Sequence, residues 1–327
     1  MEIVKVAVTA AGGGIGQSII KALQGTEYKT IAIDPRSDAA GLWMAHKGVL
    51  GRDVNDPLYI DRLLEICKKE NCKFLFPGLD AELMPISLMS GKFFDIGTTP
   101  IISDPQVVTL SDDKWALYEF LCNNRFPRIE SALSIDEAKA KGIKFPWILK
   151  PKSGGCRSKN VFQCNKESEV KCLLDSGEEY IIQEFIDGDE YTCGTVTFEK
   201  QVLGTIQMRR TLRNGDTYKA FVEGVPSITI LLEKLLPKLD PFGPCNVQLR
   251  MRGNVPYILE INARCSGTTA ARALAGFNEP LMICNHLLNK KVSHDIKDVA
   301  IFRYWNEIVV DKREKEHLER ENTTHGI

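Results

Sequence analysis

The sequence predicts an α/β protein made of a parallel-sheet N-terminal domain followed by two α+β lobes. Short apolar strands alternate with helices over roughly the first hundred residues, which is the order typical of a parallel sheet. Later segments contain turn signals between apolar strands, which indicates antiparallel hairpins. The chain has 327 residues, more than a typical single domain, so two or three lobes are expected.

A glycine-rich turn follows the first strand of the N-terminal domain. Gly12, Gly14 and Gly16 stand between this strand and a predicted helix, and Asp34 ends the next strand, which predicts a Rossmann-like domain. Gln17 occupies the place of the third glycine of a dinucleotide-binding turn, and no tyrosine has a lysine four residues later, so a dehydrogenase is disfavoured. The predicted strands are 4–9, 30–33 and 74–77, and the predicted helices are 16–24 and 57–70.

The segment 102–112 is predicted to connect this domain to the next lobe. It carries Pro105, and the capping-type residues Ser111 and Asp112 precede a predicted helix over residues 113–122. The predicted division is a Rossmann-like domain over 1–110, a small lobe over 111–178 and a large lobe with the C-terminal tail over 179–327.

A basic, glycine- and serine-rich turn follows an apolar strand that ends at Lys150. Gly154 and Gly155 allow the backbone to approach an anion closely, and Ser153 and Ser158 can donate hydroxyl hydrogens. The spacing does not fit a Walker A loop. The turn therefore indicates a phosphate site, although a solvated basic hairpin would have a similar sequence.

Three side chains with oxygen ligands are predicted to share one face of a hairpin. Gln248, Glu260 and Asn262 alternate with apolar residues, so they can project from paired strands toward one point. One carboxylate and two amide oxygens suit Mg²⁺ that keeps waters and takes further ligands from phosphates. The alternative is an exposed polar strand face. The alternating apolar residues are Val247, Leu249, Tyr257, Leu259 and Ile261.

A third segment, residues 180–191, is an apolar strand followed by a turn at Gly188 and an acidic residue, Glu190. Together and in their order along the chain, the three segments resemble the ATP-grasp superfamily, most closely the nucleotide-binding halves of the carbamoyl phosphate synthetase large chain and related carboxylate-amine ligases. The motifs that carry the resemblance cover residues 112–280. It implies an ATP-grasp fold in which two α+β lobes clamp ATP behind a Rossmann-like lead domain.

The resemblance also implies ATP and Mg²⁺, or Mn²⁺, as ligands and gives roles to individual residues. Glu184 and the backbone of Ile186 would contact the adenine edge, and Glu190 would accept the ribose hydroxyls. The residues that it places at the nucleotide are Lys114, Lys150, Ser153, Gly154, Gly155, Ser158, Glu184, Phe185, Ile186 and Glu190. The residues that it makes metal ligands are Gln248, Glu260 and Asn262.

Three basic residues are candidates for catalysis. The resemblance makes Arg264 the cation that steadies the transferred phosphoryl group, and similar ligases use basic residues near Arg210 and Lys219 to reach the triphosphate. Surface charge explains Arg210 and Lys219 almost as well. In the lead domain, Asp80 and Glu82 follow a strand and are possible substrate contacts, although helix capping is the more ordinary role for Asp80.

Composition excludes several classes of protein. Lysine and arginine number 42 and aspartate and glutamate 43, which favours neither a nucleic-acid partner nor an anionic membrane surface. No apolar run approaches the length of a membrane span. Ten cysteines include no Cys-x-x-Cys pair, so reduced thiols and a cytoplasmic location are expected.

These features predict an ADP-forming carboxylate-amine ligase with small-molecule carboxylate and amine substrates, and a homodimer is possible. The substrate carboxylate would be activated as an acyl phosphate that the amine then attacks. The alternatives are a carbamoyl phosphate synthetase-like enzyme that forms an acyl phosphate and a non-catalytic ATP-binding sensor or scaffold. The sequence does not identify the acid or the amine, because one scaffold serves many substrates.

Overall fold

The computed structural model describes residues 3–154, 160–175 and 177–323. These residues form three β-sheets of five, four and six strands, which occupy successive parts of the chain. Within the same ranges, none of the helices combines the length and the apolar character needed to cross a membrane.

The first sheet is the core of the lead domain. Its elements are β1 Lys5–Val8, α1 Gly14–Leu23, β2 Lys29–Asp34, α2 Ala40–Met44, β3 Lys47–Leu50, α3 Tyr59–Glu70, β4 Cys72–Phe76, a 3-10 turn Asp80–Glu82, α4 Leu83–Leu88, α5 Ser90–Asp95, β5 Thr99–Pro100 and α6 Pro105–Asp112. All five strands are parallel, in the order β3-β2-β1-β4-β5. Strand β1 is apolar and almost completely buried because helices cover both faces of the sheet. The predicted parallel α/β domain is confirmed.

The predicted connection over residues 102–112 is wrong, because most of it is helix α6. Pro105 begins this helix at a position where its fixed φ is favourable and its missing N–H is not needed. The next helix, α7, is Lys114–Asn123. Asp113 is its N-cap, and its Oδ1 accepts hydrogen bonds from the backbone N–H groups of Trp115 (2.8 Å) and Ala116 (3.0 Å). The cap is therefore Asp113 rather than Ser111 or Asp112.

The second sheet is a small antiparallel one. After α7 its elements are β6 Ser131–Ala132, α8 Ile135–Ala140, β7 Trp147–Pro151, β8 Phe162–Cys164, α9 Glu167–Leu174 and β9 Tyr180–Glu184. The strand order is β6-β9-β7-β8. Because β9 lies inside this sheet, we propose that the boundary between the small and large lobes falls between Glu184 and Glu190 rather than at residue 178.

The third sheet is a six-stranded antiparallel one that forms the floor of the large lobe. Its elements are β10 Glu190–Phe198, β11 Gln201–Arg213, β12 Asp216–Val222, α10 Pro226–Leu239, β13 Gly243–Arg252, β14 Val255–Asn262, α11 Thr269–Leu274, α12 Glu279–Leu287, β15 Ala300–Phe302 and α13 Lys312–Thr323. The strand order is β14-β13-β10-β11-β12-β15. Asn214 and Gly215 both have positive φ and join β11 to β12, which confirms the predicted turn. One face of the sheet buries apolar side chains against α10. The other face carries the polar residues of the cleft but also buries apolar side chains such as Met208 and Ala220 in a second core cluster.

A β-bulge interrupts the predicted alternation in β14. Gln248 pairs with Glu260 and Leu249 pairs with Ile258, so Leu259 has no partner across the hairpin. As a result Ile258 is buried at 3% exposure, and Leu259 faces the polar side of the sheet beside Glu260. The predicted alternation of Leu259 with the polar positions is therefore wrong, because the bulge shifts the phase of the strand by one residue.

Gly188, in the turn between the second and third sheets, should not tolerate a side chain. Its φ is +139°, and a Cβ there would lie 1.8 Å from the backbone oxygen of Met251. We therefore expect Gly188→Ala to destabilise the protein by about 2 kcal/mol or more and to lower the thermal midpoint. Gly91→Ala is the matched control, because Gly91 has open space around it and no positive φ. Equal midpoints for the two variants would contradict the expectation.

Candidate active site

A cleft of about 630 Å³ lies where the three sheets meet. Loops of the lead domain contribute Gly14 and Asp80, the second sheet contributes Lys150, and the third sheet contributes Glu260. Because these residues lie far apart in the sequence, only the folded arrangement brings them together. The cleft is therefore the candidate active site.

Two lysines form the cationic end of the cleft. Burial lowers the pKa of Lys150 to about 8; the charges of Lys114 and Arg250 add to this effect, while those of Glu260 and Glu190 oppose it. Burial also lowers the pKa of Lys114. Two lysines that are costly to protonate in one cleft are expected to bind an anion, because an anion would stabilise their charged forms.

The start of the predicted phosphate turn is braced against the α6–α7 junction. Lys114 Nζ donates to the backbone oxygen of Gly154 (2.8 Å), and Asp112 Oδ1 accepts from the N–H of Gly154 (2.9 Å). Gly154 adopts a φ of +63°, as its glycine identity permits. Neither Ser153 nor Gly154 lines the cleft. The other predicted turn residues, Gly155 and Ser158, lie outside the described residues.

Glu190 lies in the cleft between two arginines. Its carboxylate accepts from Arg210 at 2.7 Å and from Arg250 at 3.2 Å. Arg210 also donates to Gln248 Oε1. Glu190, the predicted ribose acceptor, therefore lines the cleft and already accepts hydrogen bonds from both arginines. Its ion pair holds Arg210 over the cleft. The sequence analysis missed Arg250, although its spacing of two residues from Gln248 puts both on one strand face.

The three predicted metal ligands lie together on the polar face of β13 and β14. Gln248 is paired with Glu260, and Asn262 Nδ2 donates to Glu260 Oε1 (3.2 Å). Asn262 Oδ1 accepts from Arg264 (2.9 Å). An amide oxygen has two lone pairs, so these hydrogen bonds leave room for coordination, and one carboxylate with two amide oxygens fits Mg²⁺. The described part of the chain contains no cluster of three His, Cys, Asp or Glu side chains suited to another metal.

Arg264 is buried and held by the lead domain. Its guanidinium forms a two-pronged ion pair with Asp80, with Nε–Oδ1 at 2.7 Å and Nη2–Oδ2 at 2.8 Å. This pairing corrects the expectation that Asp80 caps a helix: the N-cap of the 3-10 turn is Leu79, and Asp80 is the first residue of the turn. The lead domain therefore supplies the partner that orients a cation of the large lobe.

Glu82 supports the loop that carries Asp80 instead of contacting a substrate. Its carboxylate is 1% exposed and accepts from Thr9 Oγ1 (2.6 Å), Gly78 N (2.6 Å) and Leu79 N (2.8 Å). Burial raises the pKa of Glu82 in spite of these hydrogen bonds. The alternative role of Glu82 as a substrate contact is therefore corrected, since the side chain does not reach the cleft.

The far end of the cleft is formed by the segment after β9. Glu184, Phe185 and Ile186, which the sequence predicts to contact the nucleotide, line this end, and Glu184 pairs with Arg252 at 2.8 Å. Gln183 also lines the cleft, and its buried Oε1 has no hydrogen-bond partner among the described residues. The sequence analysis missed Gln183, although a glutamine inside a buried strand is a signal that could have been used.

Lys219 is another predicted site residue that does not line the cleft. It pairs with Thr211, whereas Arg210 pairs with Ala220, so alternation puts Lys219 on the opposite face of the sheet from Arg210. Arg303, which follows β15, lines the cleft and donates to the backbone oxygen of Thr217 (3.2 Å). The sequence contains no local signal for Arg303, because its place depends on the pairing of β12 with β15.

Two family models match separate parts of the chain. A family described as ATP-grasp in the biosynthetic pathway with Ter operon matches residues 176–307. A family described as PylC-like, N-terminal domain, matches residues 7–101. The first match covers the whole third sheet, and the second covers most of the lead domain.

Curated relatives are similar to parts of the chain. A D-alanine–D-alanine ligase of Clostridium perfringens is 25% identical over 154 residues, which cover 42% of this chain and 50% of the ligase. The carbamoyl phosphate synthase large chain of Thermoanaerobacter pseudethanolicus is 23% identical over 236 residues, which cover 65% of this chain and 22% of the relative. This chain therefore spans half or less of the length of these two relatives.

A solved structure shares the whole architecture. N5-carboxyaminoimidazole synthetase from Staphylococcus aureus, complexed with ADP, superposes with a TM-score of 0.74 at 16% identity, over 98% of this chain and 86% of that chain. At this identity the likeness shows the fold. Fold, family models and cleft geometry agree: the chain has an ATP-grasp fold, and the ATP-grasp family model matches its residues 176–307.

Proposed function

We propose that this protein is an ADP-forming carboxylate-amine ligase. The observation that carries the proposal is the convergence of Lys150, Glu260 and Arg264 in one cleft bounded by all three sheets. A lysine, a set of oxygen ligands and a buried arginine are the groups required to bring a carboxylate to a triphosphate. Similarity to ligases in two comparisons supports the proposal.

The proposed reaction has two steps and needs no protein nucleophile. A carboxylate oxygen of the acid forms a bond to the γ-phosphorus while the bond to the β-phosphate oxygen breaks, which releases ADP. The amine then attacks the acyl carbon, loses a proton to solvent and expels phosphate. A bound Mg²⁺, held by Gln248, Glu260 and Asn262, would supply charge stabilisation to the phosphates.

The chain's own cations would reduce the repulsion between the two anionic substrates. Lys150 and Lys114 would donate to the nucleotide phosphates, and Arg264 would donate to the transferred phosphoryl group. Asp80 keeps the guanidinium of Arg264 in one orientation before substrates arrive, which lowers the reorganisation needed during the reaction.

The base and ribose would occupy the end of the cleft lined by the segment after β9. Gln183 Oε1 is a free acceptor for an exocyclic amino group, and Ile186 offers backbone groups to the base edge. Glu190 would accept ribose hydroxyls while Arg210 and Arg250 remain beside it. Phe185 supplies an apolar surface for the base.

The acid and amine would be small molecules.

Two functions compete with this proposal. One is a carbamoyl phosphate synthetase-like activity that ends at the acyl phosphate, and the other is a non-catalytic nucleotide sensor. The presence of the proposed ion ligands and of Arg264 in one cleft favours catalysis over sensing. We also propose a cytoplasmic location, because the nine described cysteines are all free thiols.

The acyl phosphate should be trapped by hydroxylamine. We expect pooled amino acids and sugar acids, with ATP, Mg²⁺ and hydroxylamine, to yield a hydroxamate and an equal amount of ADP, because a small nucleophile can replace the amine. Both products would be quantified by chromatography. AMP and pyrophosphate as the main products would contradict attack at the γ-phosphorus.

Glu260 and Lys114 should have separable kinetic roles. Glu260→Ala should lower kcat about a hundredfold or more, because charge stabilisation is lost as the phosphoryl group moves. Lys114→Ala should chiefly raise the KM for ATP by about tenfold, since its contact is similar before and during the reaction. The control is Glu233→Ala, at an exposed position of α10. A folded Glu260→Ala protein with wild-type kcat would refute the metal assignment.

Nucleotide affinity should fall at alkaline pH because of Lys150. Burial lowers its pKa to about 8, so Lys150 loses its proton as pH rises through this value, and the anion must bind the protonated form. The Kd of MgADP, measured by calorimetry from pH 7 to 9.5, should be constant below about pH 8. Above about pH 8 the Kd should increase with pH, and the increase should approach about tenfold per pH unit.

Lys150→Met provides the control for this titration. The variant should bind MgADP more weakly at every pH and should show a much smaller alkaline rise, because the group that titrates is absent. The same slope in the variant and in the wild type would mean that another group is responsible.

A further inference from the structure

A fully buried ion pair lies directly behind the floor of the cleft. Arg272 in α11 and Glu279 at the start of α12 both have side chains with 0% exposure, and Nη1 lies 2.8 Å from Oε1. Gly194 makes room for them, because a Cβ there would lie 2.5 Å from the Arg272 guanidinium and 2.6 Å from the Glu279 carboxylate. Since an apolar pair of similar volume would commonly be as stable, the charges call for an explanation other than stability.

Arg272 holds two residues that line the cleft. Its Nη2 donates to Thr192 Oγ1 (3.0 Å) and to Asn246 Oδ1, and Thr192 Oγ1 donates to the same Asn246 oxygen (2.8 Å). A guanidinium cannot accept a hydrogen bond, so the atom of Asn246 that faces it must be the oxygen. The amide nitrogen, with its two donors, is therefore directed away from Arg272.

Glu279 reaches the cleft by a second route. Its Oε2 accepts from Thr269 Oγ1 (2.8 Å), and the same hydroxyl accepts from the backbone N–H of Ser266 (3.1 Å). Ser266 lines the cleft two residues after Arg264. The two charges of the pair thus fix one residue of the floor through Arg272 and the loop beside it through Glu279.

The direction of β13 shows which end of the cleft these contacts serve. Arg250 donates to the backbone oxygen of Ile186 (3.1 Å) at the proposed base end. Gln248, a proposed metal ligand, comes next on the same strand face, and Asn246 comes last. Asn246 therefore lies beyond the metal set as seen from the base, where the acceptor of the phosphoryl group must bind.

We propose that Arg272 and Glu279 are positioning residues for the acid-binding end of the cleft. By holding the Asn246 oxygen, Arg272 presents the amide nitrogen to the oxygens of the acid or of the transferred phosphoryl group. The role in binding the acid rests on the proposed function, but the orientation of Asn246 and Ser266 can be tested without turnover.

The test compares a double variant with a matched control. Arg272→Met/Glu279→Met removes both charges and leaves neither unpaired, and Lys47→Met/Glu70→Met removes an ion pair (2.6 Å) at the edge of the lead domain, away from the cleft. Three quantities are measured: the Kd of MgADP, the rise in thermal midpoint when inorganic phosphate is added to the MgADP complex, and the rate of hydroxamate formation from the acid pool.

We expect the Kd of MgADP for the double variant to lie within about threefold of the wild-type value, because the proposed base contacts and the two lysines are unchanged. Its hydroxamate rate should fall at least tenfold, and the stabilisation by inorganic phosphate should be lost. The Lys47→Met/Glu70→Met control should behave as the wild type does in all three measurements. Wild-type hydroxamate rate and phosphate response in the double variant would overturn the inference.

The variant Arg272→Lys tests the positioning role even if the double variant does not fold. A lysine can pair with Glu279, but its single ammonium lacks the fork that also reaches Thr192 and Asn246. The variant should fold and lose hydroxamate formation by roughly fivefold or more, with unchanged KM for ATP. If it keeps the wild-type rate and phosphate response, the inference is wrong even where the double variant does not fold.

The same measurements distinguish failure of the inference from failure of the proposed ligase. If the wild type forms no hydroxamate but its response to phosphate disappears in the double variant, the proposed function is wrong and the positioning role stands. If the wild type forms hydroxamate and the double variant forms it equally well, the positioning role is wrong and the proposed function stands.

Discussion

The cleft must hold several cations close together before any anion arrives, and much of the structure follows from this constraint. Arg210 and Arg264 meet it by pairing with Glu190 and Asp80, so their positions are fixed and their charges are partly compensated. For Lys150 and Lys114 the repulsion is reduced in another way: burial makes their protonated forms costly and lowers their pKa values. A triphosphate would relieve the cost at the lysines, whereas the arginines are already oriented. In the proposed reaction, the two lysines would therefore bind the triphosphate, and the two arginines would orient it.

The lead domain takes part in the cleft and is more than a separate module. Its buried Glu82 holds the loop of Gly78 and Leu79, and this loop presents Asp80 to Arg264. A change in the lead domain would therefore reach the arginine of the large lobe through one ion pair. The same principle recurs behind the floor, where Arg272 and Glu279 fix cleft residues without contacting the cleft themselves. In both places a buried charge is retained where it sets the geometry of a polar group.

Local patterns in the sequence predicted much of the fold and part of the site. The parallel lead domain, the turn at Asn214 and the grouping of Gln248, Glu260 and Asn262 follow from short-range alternation and turn chemistry, and the structure confirms them. Leu259 and Lys219 were misplaced because bulges and strand register decide their faces, and these depend on the partner strand. Arg303 could not be predicted, because its place depends on the pairing of β12 with β15, which lie far apart in the chain. Arg250 and Gln183 were missed although local signals for them exist. Asp80 was read as a cap because its partner, Arg264, is 184 residues away.

We propose that the nucleotide phosphates bind between Lys150 and Lys114, and not against the glycine-rich turn of the lead domain, which also lines the cleft. A crystal structure of the MgADP complex tests this claim most directly. We predict the diphosphate between Lys150 and Lys114, with the ion on Glu260 and Asn262 and the base beside Gln183 and Ile186. Density for the nucleotide at the turn between β1 and α1, with Lys150 and Glu260 free of it, would contradict the account.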